Sequence, residues 1–198
     1  MVLTDPVLLK GRDAVALCRA AVHGGATMIQ VRWKDGAAAD VVQLAQVLVS
    51  ALSVPVLVND RVDVALAAGA AGAHLGQDDP PVDRLRPHVP PGFVLGVSVG
   101  SADEAARVRS WPADYWSIGP CFMTGNKPDA GPVLGPEAFA ALARLAPEGV
   151  PVIGIGGITA ANAGSIILAG AVGVAVIAAV FGSSDPATAA RELRVALT

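Results

Sequence analysis

Short Val/Ile/Leu runs alternate along this chain with Ala/Leu-rich segments of helical length, and Gly-rich or polar turns stand at most of the junctions. The apolar runs, at 2–4, 28–32, 55–59, 72–75, 94–98, 115–118, 152–155 and 174–178, have the length and β-branched content of buried strands. Helical segments are expected near 13–23, 38–52, 62–68, 82–87, 102–109, 136–145, 160–168 and 186–197. Strands that alternate with helices predict a parallel α/β fold, because a parallel strand needs a crossover connection. Eight such units in 198 residues predict a closed (β/α)8 TIM barrel, with residues 1–198 forming a single domain. A doubly wound open sheet is the alternative.

Internal similarity supports the period. Residues 68–72 and 169–173 share the pattern Ala-Gly-Ala-x-Gly. Each is read as a helix end closed by a left-handed glycine that drops into a strand, so these segments mark the αβ loops at the barrel bottom. The longest loop expected, 119–135, follows strand six and lies on the opposite face, where barrel enzymes build their sites.

The uncharged stretch 149–184 has the hydropathy of a membrane helix. It divides into two strand-like runs separated by a helical segment. Parallel strands covered on both faces read as continuous apolar runs, so the stretch is assigned to a buried sheet and not to a span.

Composition narrows the function. Charged residues are only 16% of the chain, against roughly 25% in an average domain. A net charge of -3 argues against a nucleic-acid surface. Cys18 and Cys121 match no zinc spacing, and Asp5, Lys10, Arg12 and Asp13 interrupt any early apolar run. A cytoplasmic protein is expected.

With charge so scarce, its location is informative. Gln30, Arg32 and Lys34 alternate at the end of strand two. Asn59, Asp60 and Arg61 end strand three, and His74, Gln77, Asp78 and Asp79 stand at and just beyond the end of strand four. Ser98 ends strand five, and Thr124, Asn126, Lys127 and Asp129 lie in the long loop. Asp60 and Asp79 come from adjacent strand ends and suit Mg²⁺, which takes one or two carboxylates and completes its shell with water and substrate phosphate. Arg32, Lys34 and Lys127 would face that phosphate. Gly156-Gly157 and the amides after strand eight form a second, backbone-lined anion site. The pattern points to two phosphorylated substrates, or to one substrate phosphorylated at both ends.

Structural roles are assigned to the remaining polar residues. Arg61 is read as a solvated base and Asp78 as a helix cap. His74 is read as a packed, hydrogen-bonded core histidine, His23 and His88 as surface residues, and Trp33 as packing.

The segments QVRWK, VNDRVDVALAAGAAGAHLGQDD, LGVSVG, GPCFMTGNKPD and VIGIGGITAANA follow the order seen in thiamine-phosphate synthases, and the chain resembles that family over nearly its whole length. The resemblance implies a TIM barrel. It also implies condensation of hydroxymethylpyrimidine diphosphate with a thiazole phosphate, giving thiamine phosphate and diphosphate through a pyrimidinylmethyl carbocation. On this basis Gln30, Arg32, Lys34, Asn59, Ser98 and Lys127 would contact the pyrimidine diphosphate, with Arg32, Lys34, Ser98 and Lys127 acting catalytically. Asp60 and Asp79 would hold Mg²⁺. Thr124, Asn126, Gly157, Ile177 and Ala178 would line the thiazole phosphate site. No nucleic acid or membrane partner is implied, and a homo-oligomer is left open.

Three positions depart from the family pattern. Asn126 stands where the loop usually has Thr or Ser, Ala178 where Ser is frequent, and Gly100 where many relatives have His. The related thiazole tautomerases use that His, so Gly100 argues against a tautomerase-like isomerase. A non-catalytic thiamine-phosphate-binding protein is the other alternative.

Overall fold

The computed structural model describes residues 1–125 and 131–198. Eight parallel strands form one sheet in the order of the sequence: β1 (Val2–Leu3), β2 (Ile29–Val31), β3 (Val56–Asn59), β4 (Gly72–Leu75), β5 (Val94–Val99), β6 (Tyr115–Ile118), β7 (Val152–Ile155) and β8 (Gly173–Ala175). A parallel bridge between Val2 and Val176 closes the sheet, with Leu3 N–H donating to the Val176 carbonyl at 2.9 Å. The fold is the expected (β/α)8 barrel, and the open sheet is excluded.

The crossovers are α2 (Ala14–His23), α3 (Ala38–Ala51), α4 (Val62–Ala68), α5 (Val82–Leu85), α6 (Ala102–Val108), α7 (Gly135–Ala143), α8 (Ala163–Leu168) and α10 (Pro186–Ala196). The short helices α1 (Pro6–Leu9) and α9 (Ala178–Phe181) were not expected. They are single turns, too short to show a helical period. Residues Gly69 and Gly170 adopt φ of 67° and 107°, as the Ala-Gly-Ala-x-Gly repeats require of a helix end.

Strand eight is the main correction. The expected run to Ala178 stops at Ala175, and Ala178 opens α9. The β-branched residues Val176 and Ile177 prolong the apolar signal beyond the barrel rim. The uncharged stretch is thus divided among β7, α8, β8 and α9. No helix among the described residues is long and apolar enough to cross a membrane.

Both faces of the strands are covered. In β2, Ile29 and Val31 are buried among the other apolar side chains of the core, whereas Gln30 is buried yet lines an interior cavity. The same alternation brings the polar residues Asn59, His74, Ser98, Tyr115 and Ser117 to that cavity.

Candidate active site

A cavity of about 740 Å³ opens at the C-terminal ends of the strands, within the usual size range of small-molecule sites. Gln30, Arg32, Lys34, Asn59, Asp60, Asp79, Ser98, Thr124, Gly157, Ile177 and Ala178 all line it. The structure therefore brings together every expected site residue that it describes. Asn126 and Lys127 lie outside the described residues.

One wall holds the charges. Asp60 has φ 63°, a left-handed conformation that Asp and Asn tolerate better than most residues. Burial pushes its carboxyl up to about 6, the charge of Asp79 and a hydrogen bond with it add to the rise, and Lys34 and Arg32 oppose it. The two carboxylates thus share one small volume, with two cations close by. Asp79 also accepts the Gly76 N–H at 2.6 Å. Among the described residues no group of three or more His, Cys, Asp or Glu could hold a metal. Two adjacent carboxylates nevertheless fit Mg²⁺, whose remaining positions go to water and phosphate. The crowding of two negative charges is itself a reason to hold a cation.

Arg32 is anchored from behind. Its guanidinium lies 3.7 Å from an Asp5 carboxylate oxygen, and its backbone N–H donates to Thr4 Oγ1 at 2.9 Å. The other Asp5 oxygen caps α1 by accepting the Val7 and Leu8 N–H groups. Asp5 is buried and does two jobs, neither of which the sequence reading assigned. An Asp just before Pro at the first turn of a helix was the available signal.

The opposite wall is backbone. Gly156 and Gly157 have φ of 92° and 64°, and a Cβ on Gly157 would overlap the Met123 carbonyl. Beside them α9 turns its first residues, Ala178 and Ala179, to the cavity. The first N–H groups of a helix have no partner within it, so the start of this short helix leaves amides of the kind that suit an anion.

Four of the structural assignments hold. His74 is buried and hydrogen-bonded, His23 and His88 are exposed, and Arg61 is an exposed base paired with Asp63. His74 also lines the cavity, which the sequence reading missed, as it missed Tyr115. Tyr115 and Ser117 alternate along strand six in step with the other inward residues, and that register could have revealed them. The helix cap expected of Asp78 is not found: Pro81 is the N-cap residue of α5, and Asp78 is exposed. Two prolines separate Asp78 from the helix and carry the chain past its reach. Trp33 lies at the border of exposure, and a Cβ on Gly36 would meet its ring.

Comparison with known proteins agrees with this geometry. A family model for thiamine monophosphate synthase matches residues 1–180. A thiamine-phosphate synthase of Roseiflexus sp. (strain RS-1) is 48% identical over 99% of this chain and 84% of its own length. One from Methanoculleus marisnigri is 47% identical over 98% of this chain and 92% of its own. The solved thiamine phosphate pyrophosphorylase from Pyrococcus furiosus superposes with a TM-score of 0.87 at 34% identity, covering 99% of this chain and 93% of that one. With the barrel, the charged wall and the amide-lined wall all present in one cavity, the chain is an enzyme of the thiamine monophosphate synthase family.

Proposed function

We propose that this enzyme condenses hydroxymethylpyrimidine diphosphate with a thiazole phosphate, giving thiamine phosphate and diphosphate, with Mg²⁺ held by Asp60 and Asp79. The observation that carries this reading is the division of one cavity into a carboxylate-and-cation wall and a backbone-amide wall. A tautomerase has one phosphorylated substrate and no use for the first wall. Its histidine would stand at Gly100, which has no side chain and whose N–H donates to Glu104.

Arg32 and Lys34 bind the diphosphate, and Asp5 keeps Arg32 aimed at it. Bound Mg²⁺ would neutralise the diphosphate as it departs and so make it a good leaving group. Lys127, in the loop after β6, would add a third cation by the family resemblance. Gln30 and Ser98 hold the pyrimidine ring. The Gln30 carbonyl oxygen is buried in the wall without a partner, and such an orphan acceptor suits the ring's amino group. Gly157, Ile177, Ala178 and Thr124 hold the thiazole phosphate, with Asn126 beside them by the resemblance. Departure of diphosphate leaves a pyrimidinylmethyl cation, which the thiazole nitrogen attacks. That nitrogen carries no proton, so no general base is needed.

The two walls predict different metal dependence. Calorimetry on the purified enzyme should give thiazole phosphate binding that is the same with Mg²⁺ or chelator. Pyrimidine diphosphate binding should weaken by about 10-fold or more on chelation, equivalent to ~1.4 kcal/mol. Equal weakening of both ligands, or of neither, would contradict the assignment.

Asp5→Asn separates the two jobs of Asp5. Asn is as good an N-cap as Asp, so α1 should survive, whereas the charge that holds Arg32 is lost. The expected result is a rise of roughly 10-fold in KM for the pyrimidine diphosphate, with a melting temperature within a few degrees of wild type. An unchanged KM would mean that Arg32 needs no anchor.

A further inference from the structure

His74, Tyr115 and Ser98 form a hydrogen-bonded chain inside the barrel. Nδ1 of His74 lies 2.8 Å from the Tyr115 hydroxyl, and Nε2 lies 3.0 Å from the Ser98 hydroxyl. The fold builds this arrangement: in the sheet register His74 pairs with Gly96 and Gly96 with Tyr115. A Cβ on Gly96 would overlap the Tyr115 ring. The two rings therefore stack across a glycine, with centroids 5.4 Å apart and planes at 24°.

The chain has a direction. A neutral imidazole has one donor and one acceptor nitrogen, so the destination of the Tyr115 proton sets the rest. Burial holds the phenol pKa well above its ordinary value, and the proton stays on the oxygen. Gln30 is the phenol's other hydrogen-bond partner, but the Gln30 carbonyl oxygen is buried with no partner at all. The carbonyl therefore does not take the phenol proton, and the remaining acceptor is His74 Nδ1. With Nδ1 accepting, the imidazole carries its own proton on Nε2 and gives it to Ser98 Oγ. The Ser98 hydroxyl then accepts from behind, and its proton is left for the cavity that Ser98 lines.

We propose that His74 is a positioning residue that, held in its Nε2–H tautomer by Tyr115, makes Ser98 an obligatory hydrogen-bond donor to the pyrimidine substrate. The proposal rests on the reading that the cavity binds a pyrimidine diphosphate. It adds a selection rule. A ligand with an acceptor at that point, a ring nitrogen or a phosphate oxygen, is matched. A ligand with an N–H there meets a second proton and is rejected, because reversing Ser98 would require reversing the tautomer and the phenol as well.

The first test needs no substrate. The chain has three histidines, and ¹⁵N-detected imidazole spectra of the ligand-free enzyme at neutral pH distinguish their tautomers. His74 should be neutral with its proton on Nε2. A proton on Nδ1 would overturn the proposal and leave the proposed reaction standing, whereas the expected tautomer without thiamine phosphate synthesis would strike the reaction alone. Tyr115→Phe removes the proton that fixes Nδ1 as acceptor and should shift His74 toward the other tautomer; an unshifted spectrum counts against the relay. The second test is a double-mutant cycle in KM for the pyrimidine diphosphate. Ser98→Ala and the pair Ser98→Ala/His74→Gln should raise KM by the same factor, about 10-fold, with KM for the thiazole phosphate unmoved. Multiplying losses would show that His74 acts apart from Ser98 and would refute the positioning role.

Discussion

Asp60→Asn is expected to lower kcat/KM by about 100-fold or more while making the metal-free protein more stable. The activity loss has the size seen when one preorganised group is removed from a site of developing charge. Asn also suits the left-handed backbone at this position, so the variant should fold, whereas Asp60→Ala would add strain there. The stability gain comes from proton linkage. The Asp60 carboxyl has its pKa raised to about 6 by burial and by Asp79, so the native state binds more protons than the unfolded chain between the ordinary carboxylate pKa of 3.8 and that value. Stability is lost as pH rises through this window. Asn never acquires the charge and escapes the loss. Because Asp60 is only half-buried, the gain is discounted to roughly 1 kcal/mol at pH 8. Thermal melts in chelator should have the variant above wild type at pH 8 and level with it near pH 4. Added Mg²⁺ should raise the wild-type melting temperature and leave the variant unmoved. A variant no more stable than wild type at pH 8 would mean that burial and Asp79 do not disfavour the Asp60 charge as described.

Gly157→Ala is the second large effect, and it should fall on the other substrate. The left-handed φ of 64° costs any L side chain roughly 1–2 kcal/mol. The new methyl also runs into the Met123 carbonyl and the Phe122 backbone, neither of which is a flexible side-chain end. The loop after β6 must therefore move away from β7, and the amide-lined wall opens. KM for the thiazole phosphate should rise on the order of 10- to 100-fold, equivalent to ~1.4–2.7 kcal/mol, with KM for the pyrimidine diphosphate changed little. Equal effects on both substrates would indicate general loss of folding and not a local phosphate site.

The two walls of the cavity differ in how legible they are in the sequence. Strand period, Gly-closed helix ends and the scarcity of charge made the barrel and its charged mouth legible, since each is a local pattern. The phosphate wall was only half legible: Gly156-Gly157 stood out, but Val176 and Ile177 look like strand, and the one-turn helix α9 has no periodic signal. Asp5 escaped because its partner Arg32 is far away in sequence and only the pairing of β1 with β2 brings the ends of those strands together. The relay escaped for the same reason. His74, Ser98 and Tyr115 come from strands β4, β5 and β6, and their contact is a product of register. Resemblance to the family supplied the substrates, which no spacing of residues encodes.

The most direct test of the central claim is stoichiometric. Purified enzyme is given both substrates with Mg²⁺, and thiamine phosphate and diphosphate are quantified over many turnovers. One of each is expected per pyrimidine diphosphate consumed, with no product when either substrate is omitted or Mg²⁺ is chelated. Tight binding of thiamine phosphate without turnover, or conversion of the thiazole without diphosphate release, would contradict it.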